Sequence, residues 1–270
     1  MLNDSHFLFF VLFPAGVLFL ELLIVGWEHS SLRVLAHKGR STGADWLYYA
    51  LDALKVNGFF VAVASVGVFA YFAKHNITLN ALASVPPVAQ FIVGFIAADF
   101  CAYWTHRALH AVPLLWEFHK VHHSATKLNI LMTFRFHPME KLVWHLEAMT
   151  VFLVMGASPK TFALFVAVDV FLGQIQHARL SWDYGPIGKL LISPTFHRLH
   201  HSTDPQDYNR NFGGRLTIWD RMFRTHSDRD IPFDSIGLGE TQPVVEEFIA
   251  PFKHLFNCLS RHMKKQTSNS

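Results

Sequence analysis

The sequence predicts an all-α protein, an integral membrane helical bundle with a cytoplasmic helical cap that carries a histidine-rich metal site. Three observations lead to this fold class. Hydrophobic residues make up 51% of the 270 residues and charged residues only 16%, well below the roughly 25% of a soluble domain. Several apolar segments are long enough to cross a bilayer, and many of the 18 histidines recur at helical spacing. No linker or charge block divides residues 1–270, which indicates a single membrane-embedded domain.

The apolar segments predict three membrane spans and a hairpin. The spans lie near 7–27, 56–73 and 88–104, and each approaches the roughly 20 residues that a transmembrane helix requires. Two shorter apolar runs, 142–156 and 161–176, are separated by the residues GASPK. They predict a tight helical hairpin that either crosses the bilayer or only dips into it.

The distribution of Lys and Arg predicts the orientation. With five crossings, one side of the membrane receives 28–55, 105–141 and 177–270. Every Lys and Arg lies on that side except Lys74 and Lys160. By the positive-inside rule this side is cytoplasmic, and a hairpin that only dips gives the same result. The sequence therefore predicts a multi-pass membrane protein whose metal site faces the cytoplasm.

Two further segments complete the predicted architecture. The histidine-rich cytoplasmic cap combines 105–141 and 177–230. Residues 243–262 carry apolar side chains at helical spacing with flanking basic residues, which predicts an amphipathic helix in the membrane interface. A helix that faces the protein core is the alternative. The net charge of +3 is too small to indicate nucleic acid as a partner.

Two matching hexapeptides, HKVHHS at 119–124 and HRLHHS at 197–202, place histidines at positions i, i+3 and i+4, which lie on one face of a helix. A third pair, His106 and His110, is also four residues apart. Bare imidazoles packed together would each need a buried partner, whereas a metal ion uses their lone pairs. The predicted ligands in these clusters are His106, His110, His119, His122, His123, His197, His200 and His201.

Four more residues are candidates for the site. His177 ends the fifth apolar run on the same side and is predicted to be a further ligand. His137 precedes a proline in FRFHPME and is either a ligand or a hydrogen-bond donor beside one. Asp99 and Tyr103 share a helix face with the first histidine pair. They would orient those imidazoles by hydrogen bonding, or they simply line a protein-facing surface.

The number and type of ligands narrow the choice of metal. Zinc takes four ligands, so eight to ten histidines exceed the needs of one ion and suit two. Imidazole binds zinc, copper, iron and nickel. The sequence has no Glu-x-x-His pair of the carboxylate di-iron type and no His-Glu-x-x-His motif, and no bridging carboxylate is expected near the clusters. The remaining interpretation is an all-nitrogen di-iron centre that activates dioxygen.

These motifs resemble those of the fatty acid hydroxylase and sterol desaturase superfamily. The similarity rests on the series HRALH, HKVHH, RFHPME, QHARL and HRLHH, and on SPTFHRLHHSTDPQDYNRNFGGRLTIWDRMFRT near the C-terminus. The similarity covers roughly 90–225. In the first 85 residues, only the hydropathy pattern is informative. Asn211 belongs to the C-terminal signature and is expected beside the ligands. The resemblance implies that the ligands are His106, His110, His119, His122, His123, His177, His197, His200 and His201, with His137 in an Arg-x-His-Pro element.

The resemblance also implies a function. Members of this superfamily are integral membrane, non-haem di-iron oxygenases, so the expected activity is hydroxylation of a C–H bond of a lipid-like substrate with dioxygen and two electrons. Two iron ions are expected, with zinc possible by mis-metallation. The alternatives are a desaturase on the same scaffold, or a histidine-rich membrane metal transporter or sensor without catalysis. No dinucleotide-binding fingerprint is visible, which indicates a separate electron-donor protein, and a cationic cytoplasmic face would suit an acidic carrier.

The sequence departs from the superfamily pattern at two places. Some members have a further histidine four residues before the position of His177, where this chain has Gly173. The superfamily often has Phe-Gly-Thr after the Trp-Asp pair, and this chain has Phe-Arg-Thr, with Arg224 in the place of the glycine. The first departure affects the ligands available to one metal, and the second affects a loop near the site.

Overall fold

The computed structural model of the protein describes residues 8–77, 80–239 and 241–267. Across these ranges every regular element is helical, and β-structure is limited to two isolated bridges, which confirms the all-α prediction. Short 3₁₀ helices at Ile130–Phe134, Gly185–Lys189 and Pro205–Asp207 connect longer elements. The α-helices are α1 Phe13–His29, α2 Ser31–Ala36, α3 Arg40–Ala53, α4 Val56–His75, α5 Pro87–Ala111, α6 Pro113–His123, α7 Pro138–Val154, α8 Pro159–Gln176, α9 Pro194–His200, α10 Ile218–Met222 and α11 Val244–Thr267.

Three helices are long and apolar enough to cross a membrane. They are Phe10–His29, Val56–His75 and Pro87–Ala111. They match the three predicted spans, except that the third continues past 104 by a further two turns, as its histidine pair requires. Residue 7, the predicted start of the first span, lies outside the described residues. These apolar helices associate the protein with a membrane, while the number of crossings stays a prediction.

The α7–α8 hairpin packs along α5 and extends over most of its length. At the turn of the hairpin, the backbone N–H of Ser158 donates to the side-chain amide oxygen of Gln90, near the start of α5 (3.0 Å). At the opposite end, the Trp144 ring of α7 lies 5.9 Å from the imidazole of His106. Gly94 allows this packing, because a Cβ there would lie 2.6 Å from the Phe152 ring. The predicted hairpin at 142–156 and 161–176 therefore begins about one turn earlier, and its crossing of the bilayer stays a prediction.

A fully buried arginine joins the C-terminal helix α11 to the histidine-bearing segments. The Arg135 guanidinium contacts the carboxylates of Asp45 (2.8 Å) and Glu247 (3.0 Å). It also donates to the hydroxyl of Ser124 and to the backbone oxygen of Val121. Removing one partner of such a buried group typically costs about 3–5 kcal/mol. The first turn of α11 is thus anchored in the core.

The remainder of α11 presents apolar side chains outward, with Val245, Phe252 and Phe256 each more than half exposed. The amphipathic tail predicted at 243–262 therefore combines both alternatives, a core-facing first turn and an exposed apolar face that suits a membrane interface.

A second buried carboxylate, that of Glu21 in α1, fixes the chain after the fifth apolar run. Its oxygens accept hydrogen bonds from the backbone N–H groups of Ser31 (2.6 Å) and Arg179 (2.6 Å), and from the Ser31 hydroxyl (2.8 Å). Glu21 is completely buried, so each hydrogen bond replaces one that water would have made. The contact at Arg179 holds the backbone two residues after His177.

Candidate metal centre

Nine histidines from four parts of the chain meet in two adjoining groups. Within each group, one nitrogen of every ring lies within 4.8 Å of those of the others. The groups touch, because the His123 and His201 ring centroids are 4.5 Å apart. The first group is His106, His110, His119, His123 and His200, and the second is His122, His177, His197 and His201.

The repeated hexapeptide has a structural reason. In HKVHHS, His119 and His123 join the first group while His122 joins the second. In HRLHHS the assignment is reversed, because the i and i+4 residues join the second group and His200, at i+3, joins the first. Consecutive residues are about 100° apart around a helix, so the adjacent histidines of each pair reach opposite sides. Helices α6 and α9 therefore each supply ligand candidates to both groups.

Hydrogen bonds on the outer side of the rings fix their orientation. In five histidines, Nδ1 lies within hydrogen-bonding distance of a carbonyl or carboxylate oxygen. This assigns the N–H to Nδ1 and leaves the lone pair of Nε2 facing inward. The acceptors are Phe212 O for His106 (2.7 Å), Arg210 O for His200 (2.8 Å), Arg135 O for His122 (3.2 Å), Gly173 O for His177 (2.7 Å) and a Glu140 carboxylate oxygen for His119 (2.6 Å).

The inward-facing nitrogens are spaced as ligands of a common ion would be. The Nε2 atoms of His106 and His119 are 3.0 Å apart, as are those of His177 and His197. Two nitrogens bound at right angles to one ion lie about 3.0 Å apart when each bond is about 2.1 Å. Other buried ring nitrogens have no partner among the described residues. They are His110 Nε2, His200 Nε2, His197 Nδ1 and His201 Nδ1.

Burial keeps these imidazoles neutral. It lowers the pKa of His177 and of His200 to about 4, and it lowers the pKa of His119 and His123 well below the usual range, with the neighbouring imidazoles adding to the effect. Neutral rings offer lone pairs, and lone pairs that face each other at this distance repel unless a cation lies between them. The donor set therefore fits metal ions.

Glu140 is the site residue that the sequence did not reveal. The start of α7 places its carboxylate against His119 Nδ1 and 3.0 Å from the Trp144 indole nitrogen, and its second oxygen is buried without a partner. A carboxylate–imidazole–metal arrangement of this kind is common at metal sites. Glu140 contacts one histidine and does not bridge the two groups, so the expectation of no bridging carboxylate stays a prediction. The RFHPME motif contains Glu140, but nothing in its spacing indicates the contact.

His137 is not brought together with the other histidines. It is the N-cap of α7, where its Nδ1 accepts from the backbone N–H of Met139 (3.1 Å). Its Nε2 donates to the Phe248 carbonyl of α11 (3.2 Å). Both ring nitrogens are therefore occupied, and the ring lies outside the two groups. Neither of these two hydrogen bonds is to a histidine.

Asp99 and Tyr103 form no hydrogen bond with the clustered histidines either. The Asp99 carboxylate accepts from the backbone N–H of Leu216 (3.0 Å) and from the Trp219 indole (2.8 Å). The Tyr103 hydroxyl pairs with Thr225 Oγ1 (2.9 Å). The polar face of α5 thus holds the C-terminal loop, and the acceptor for His106 is a backbone carbonyl of that loop.

Asn211 lies beside the site and shapes its loop. Its side-chain amide donates to the carbonyls of Phe196 (3.0 Å) and Ser227 (2.9 Å). The next two residues, Phe212 and Gly213, donate their backbone N–H groups to Asp220 (2.8 and 2.7 Å). This network fixes the backbone whose carbonyls bind two of the histidines.

The two departures from the superfamily pattern have local explanations. At Gly173, a Cβ would lie 3.0 Å from the Thr133 side chain. Thr133 therefore occupies the space beside this position, and the second group contains four histidines. At Arg224 the backbone φ is 60°, a left-handed conformation that glycine adopts most readily. The threonine of the motif, Thr225, has a structural role, because its hydroxyl donates to the Asp220 carboxylate (2.6 Å).

An apolar cavity of about 490 Å³ leads to the histidines, within the usual size range of ligand pockets. Side chains of α5, α7 and α8 contribute to its wall, among them Ala148, Phe162 and Val166. Five histidines from both groups line one part of it. They are His106, His119, His122, His177 and His197.

The fold and the site thus define a class: a membrane-associated helical protein built around two groups of histidines that could hold metal ions. The family model for fatty acid hydroxylases matches residues 91–225, half of the chain, and the protein belongs to this family. The matched segment begins in α5, ends after α10 and contains all nine clustered histidines. This confirms the resemblance that the motifs predicted.

Curated relatives include several lipid-modifying oxidoreductases. An ornithine lipid hydroxylase of Rhizobium tropici is 31% identical over 172 residues, 64% of this chain and 52% of that protein. An alkylglycerol monooxygenase of Danio rerio is 31% identical over 153 residues, 56% of this chain and 33% of that protein. A Delta(7)-sterol 5(6)-desaturase of Aspergillus fumigatus is 29% identical over 133 residues, 47% of this chain and 36% of that protein. The alignments thus span about half or less of these relatives' lengths, and no solved structure matches the chain.

Proposed function

We propose that the protein is a membrane oxidoreductase that hydroxylates a C–H bond of a lipid-like substrate. The observation that carries this proposal is the apolar cavity, because it opens directly onto both histidine groups. A metal transporter would place polar ligands along a path through the spans, whereas here the ligand candidates lie at one end of the bundle. The names of the relatives, which include lipid hydroxylases and monooxygenases, support the same activity.

Two iron ions are the proposed cofactor. One would be held by His106, His110, His119, His123 and His200, and the other by His122, His177, His197 and His201. Nitrogen-only sites of this type also bind zinc, so zinc in overexpressed protein would not contradict the proposal. Bound iron would supply dioxygen activation and the removal of hydrogen from an unactivated C–H bond.

The residues of the chain perform the positioning. The cavity wall holds a hydrocarbon chain beside the histidines and excludes water through side chains such as Phe162, Phe165 and Val166. The hydrogen bonds from Nδ1 of His106 and His119 keep these rings turned toward the reacting centre. Such orientation of reacting groups provides much of the rate gain of enzymes.

The membrane arrangement and the electron supply are also proposals. We place the histidine end of the bundle on the cytoplasmic side, because nearly all Lys and Arg lie in the segments at that end. The two electrons of each turnover would come from a separate donor protein. The substrate would enter the cavity from the bilayer.

Labelled dioxygen tests the proposed reaction. Iron-loaded protein in lipid nanodiscs, supplied with reductant and a lipid extract, should give a product that contains one labelled oxygen atom. A product two hydrogens lighter without the label would indicate the desaturase alternative, which the sterol desaturase relative represents. Turnover that persists without dioxygen would contradict both.

A further inference from the structure

Four arginines surround the loop that binds the histidines, and they differ from the six arginines of the protein that form ion pairs. Arg33, Arg135, Arg179, Arg198, Arg215 and Arg229 each pair with a carboxylate. Among the described residues, no carboxylate forms such a pair with the four arginines at this loop. They are Arg107, Arg210, Arg221 and Arg224, and they are called the arginine patch below.

Contacts through the loop connect the members of the patch. The Arg210 guanidinium donates to the carbonyl of Arg224 (3.4 Å). Arg221 follows Asp220 in α10, and Arg107 of α5 lies close enough to interact electrostatically with the same carboxylate. Asp220 does not neutralise the patch at the surface, because it is fully buried and accepts hydrogen bonds from two backbone N–H groups and a threonine. Arg210, Arg221 and Arg224 are exposed.

The backbone at Arg224 does not explain the presence of an arginine. Its φ of 60° is a conformation that residues other than glycine adopt only at a cost. The side chain is exposed and makes no ion pair with a described residue, so no ion pair of this side chain offsets the cost. Residues held in unfavourable backbone conformations often have a functional role.

The patch is directly connected to the candidate metal centre. The carbonyl of Arg210 accepts the Nδ1–H of His200 (2.8 Å), and that of Phe212 accepts the Nδ1–H of His106 (2.7 Å). One hydrogen bond therefore separates the backbone of this loop from a ligand candidate in each case. His110 lies in the same group and is the one of the nine that is only half-buried.

We propose that the arginine patch is the docking surface for an acidic one-electron carrier protein, and that electrons enter the metal centre through residues 210–212. This inference rests on the proposed oxygenase function. Each docking would oxidise the carrier by one electron and reduce the centre by one, so that two dockings supply one turnover. An unpaired cationic surface attracts an anionic partner and raises its association rate. A hydrogen-bonded route to His200 serves electron transfer but contributes nothing to the binding of an anionic lipid. This favours a redox protein as the occupant.

The test compares two reductants on iron-loaded protein in nanodiscs of neutral lipid. One is a plant-type [2Fe–2S] ferredoxin, an acidic carrier kept reduced by its reductase and NADPH. The other is dithionite, which needs no docking surface. Reduction of the centre is followed by its optical or EPR signal. The patch variant is Arg221→Glu/Arg224→Glu. Its matched control is Lys38→Glu/Lys189→Glu, which changes two exposed lysines that form no ion pair with a described residue. A third variant, Arg224→Gly, removes one charge and relieves the backbone.

The Arg221→Glu/Arg224→Glu variant should be reduced by ferredoxin at least about tenfold more slowly than the wild type at low salt, with the difference shrinking at about 0.5 M salt. Its reduction by dithionite should be unchanged, as should both rates of the lysine control. Arg224→Gly should melt at the same temperature or higher, yet react more slowly with ferredoxin. Wild-type rates with ferredoxin, or equal slowing of the lysine control, would overturn the proposal.

Two further outcomes are informative. If the patch variant loses affinity for vesicles containing anionic lipid while its reduction by ferredoxin is unchanged, the patch binds lipid and the proposal is wrong. A wild-type protein that binds no redox-active metal would instead contradict the proposed function, and dithionite reveals this without any carrier.

Discussion

Replacing Glu140 by glutamine should weaken metal binding in the first histidine group and leave the second unchanged. The Glu140 carboxylate accepts from His119 Nδ1 at 2.6 Å and from the Trp144 indole at 3.0 Å. Glutamine has nearly the same shape and keeps one oxygen for these donors. Its amide nitrogen would replace an oxygen that has no partner. Burial raises the pKa of Glu140 to about 8, but a bound cation favours the ionised carboxylate, so in the metal-bound protein the substitution mainly removes negative charge.

The magnitude follows from the type of hydrogen bond. A bond to a charged group contributes about 1.5–3 kcal/mol and one between neutral groups about 0.5–1.5 kcal/mol. The difference of about 1–2 kcal/mol corresponds to a roughly tenfold weaker metal affinity. Glu140→Ala should cost about a hundredfold, because both donors lose their acceptor in a buried site.

Chelator competition followed by elemental analysis measures these affinities. Thr133→Val is the matched control in the second group. The Thr133 hydroxyl is 3.2 Å from His177 Nδ1, but the Gly173 carbonyl is closer to that nitrogen, at 2.7 Å. This control should retain its metal. Loss of both metals to the same extent in Glu140→Gln, or unchanged affinity in Glu140→Ala, would refute the reasoning.

Three other changes test separate parts of the structure. Gly213→Ala should destabilise the protein by about 1–3 kcal/mol and lower its metal content, because the new Cβ would lie 2.6 Å from a carbonyl oxygen; thermal melting and elemental analysis measure this. Metal-free protein should lose stability as the pH falls from 6.5 toward 4. Burial lowers the pKa of His177 and of His200 to about 4 in the folded protein, below the usual value of about 6.5. Unfolding therefore takes up protons between these pH values, and each of the two residues lowers the free energy of unfolding by up to about 3 kcal/mol. Melting temperatures that show no such loss would contradict the burial of neutral imidazoles. Cysteines placed at Gln206 and Ser84, with the natural cysteines removed, should react with impermeant reagents from the cytoplasmic and the opposite side respectively, and the reverse labelling would overturn the orientation.

The helices and the histidine clusters could be predicted from the sequence because both depend on local spacing. Apolar runs predict the three long helices, and the i, i+3, i+4 pattern predicts that the histidines of one motif lie together. The division of each triplet between two groups could not be predicted. It depends on how α6 and α9 pack against each other, which brings His200 to the group of His119.

Three assignments required the tertiary structure for the same reason. His137 has the residue type of a ligand, but the proline after it starts a helix that it caps, and α11 supplies its other contact. Asp99 lies on the expected face, yet the C-terminal loop reaches its carboxylate before any imidazole does. Glu140 contacts His119 across 21 residues of sequence. None of these partners is encoded in spacing within a single motif.

The metal content and ligation of the purified protein test the central claim most directly, namely that two histidine groups hold two ions. Protein prepared with iron available should contain two metal ions per chain, and X-ray absorption should show a nitrogen-dominated ligand shell at about 2.1 Å. His122→Ala and His200→Ala should each lose metal, since they remove a ligand from different groups. Full metal content in both variants, or one ion per chain in the wild type, would contradict the account.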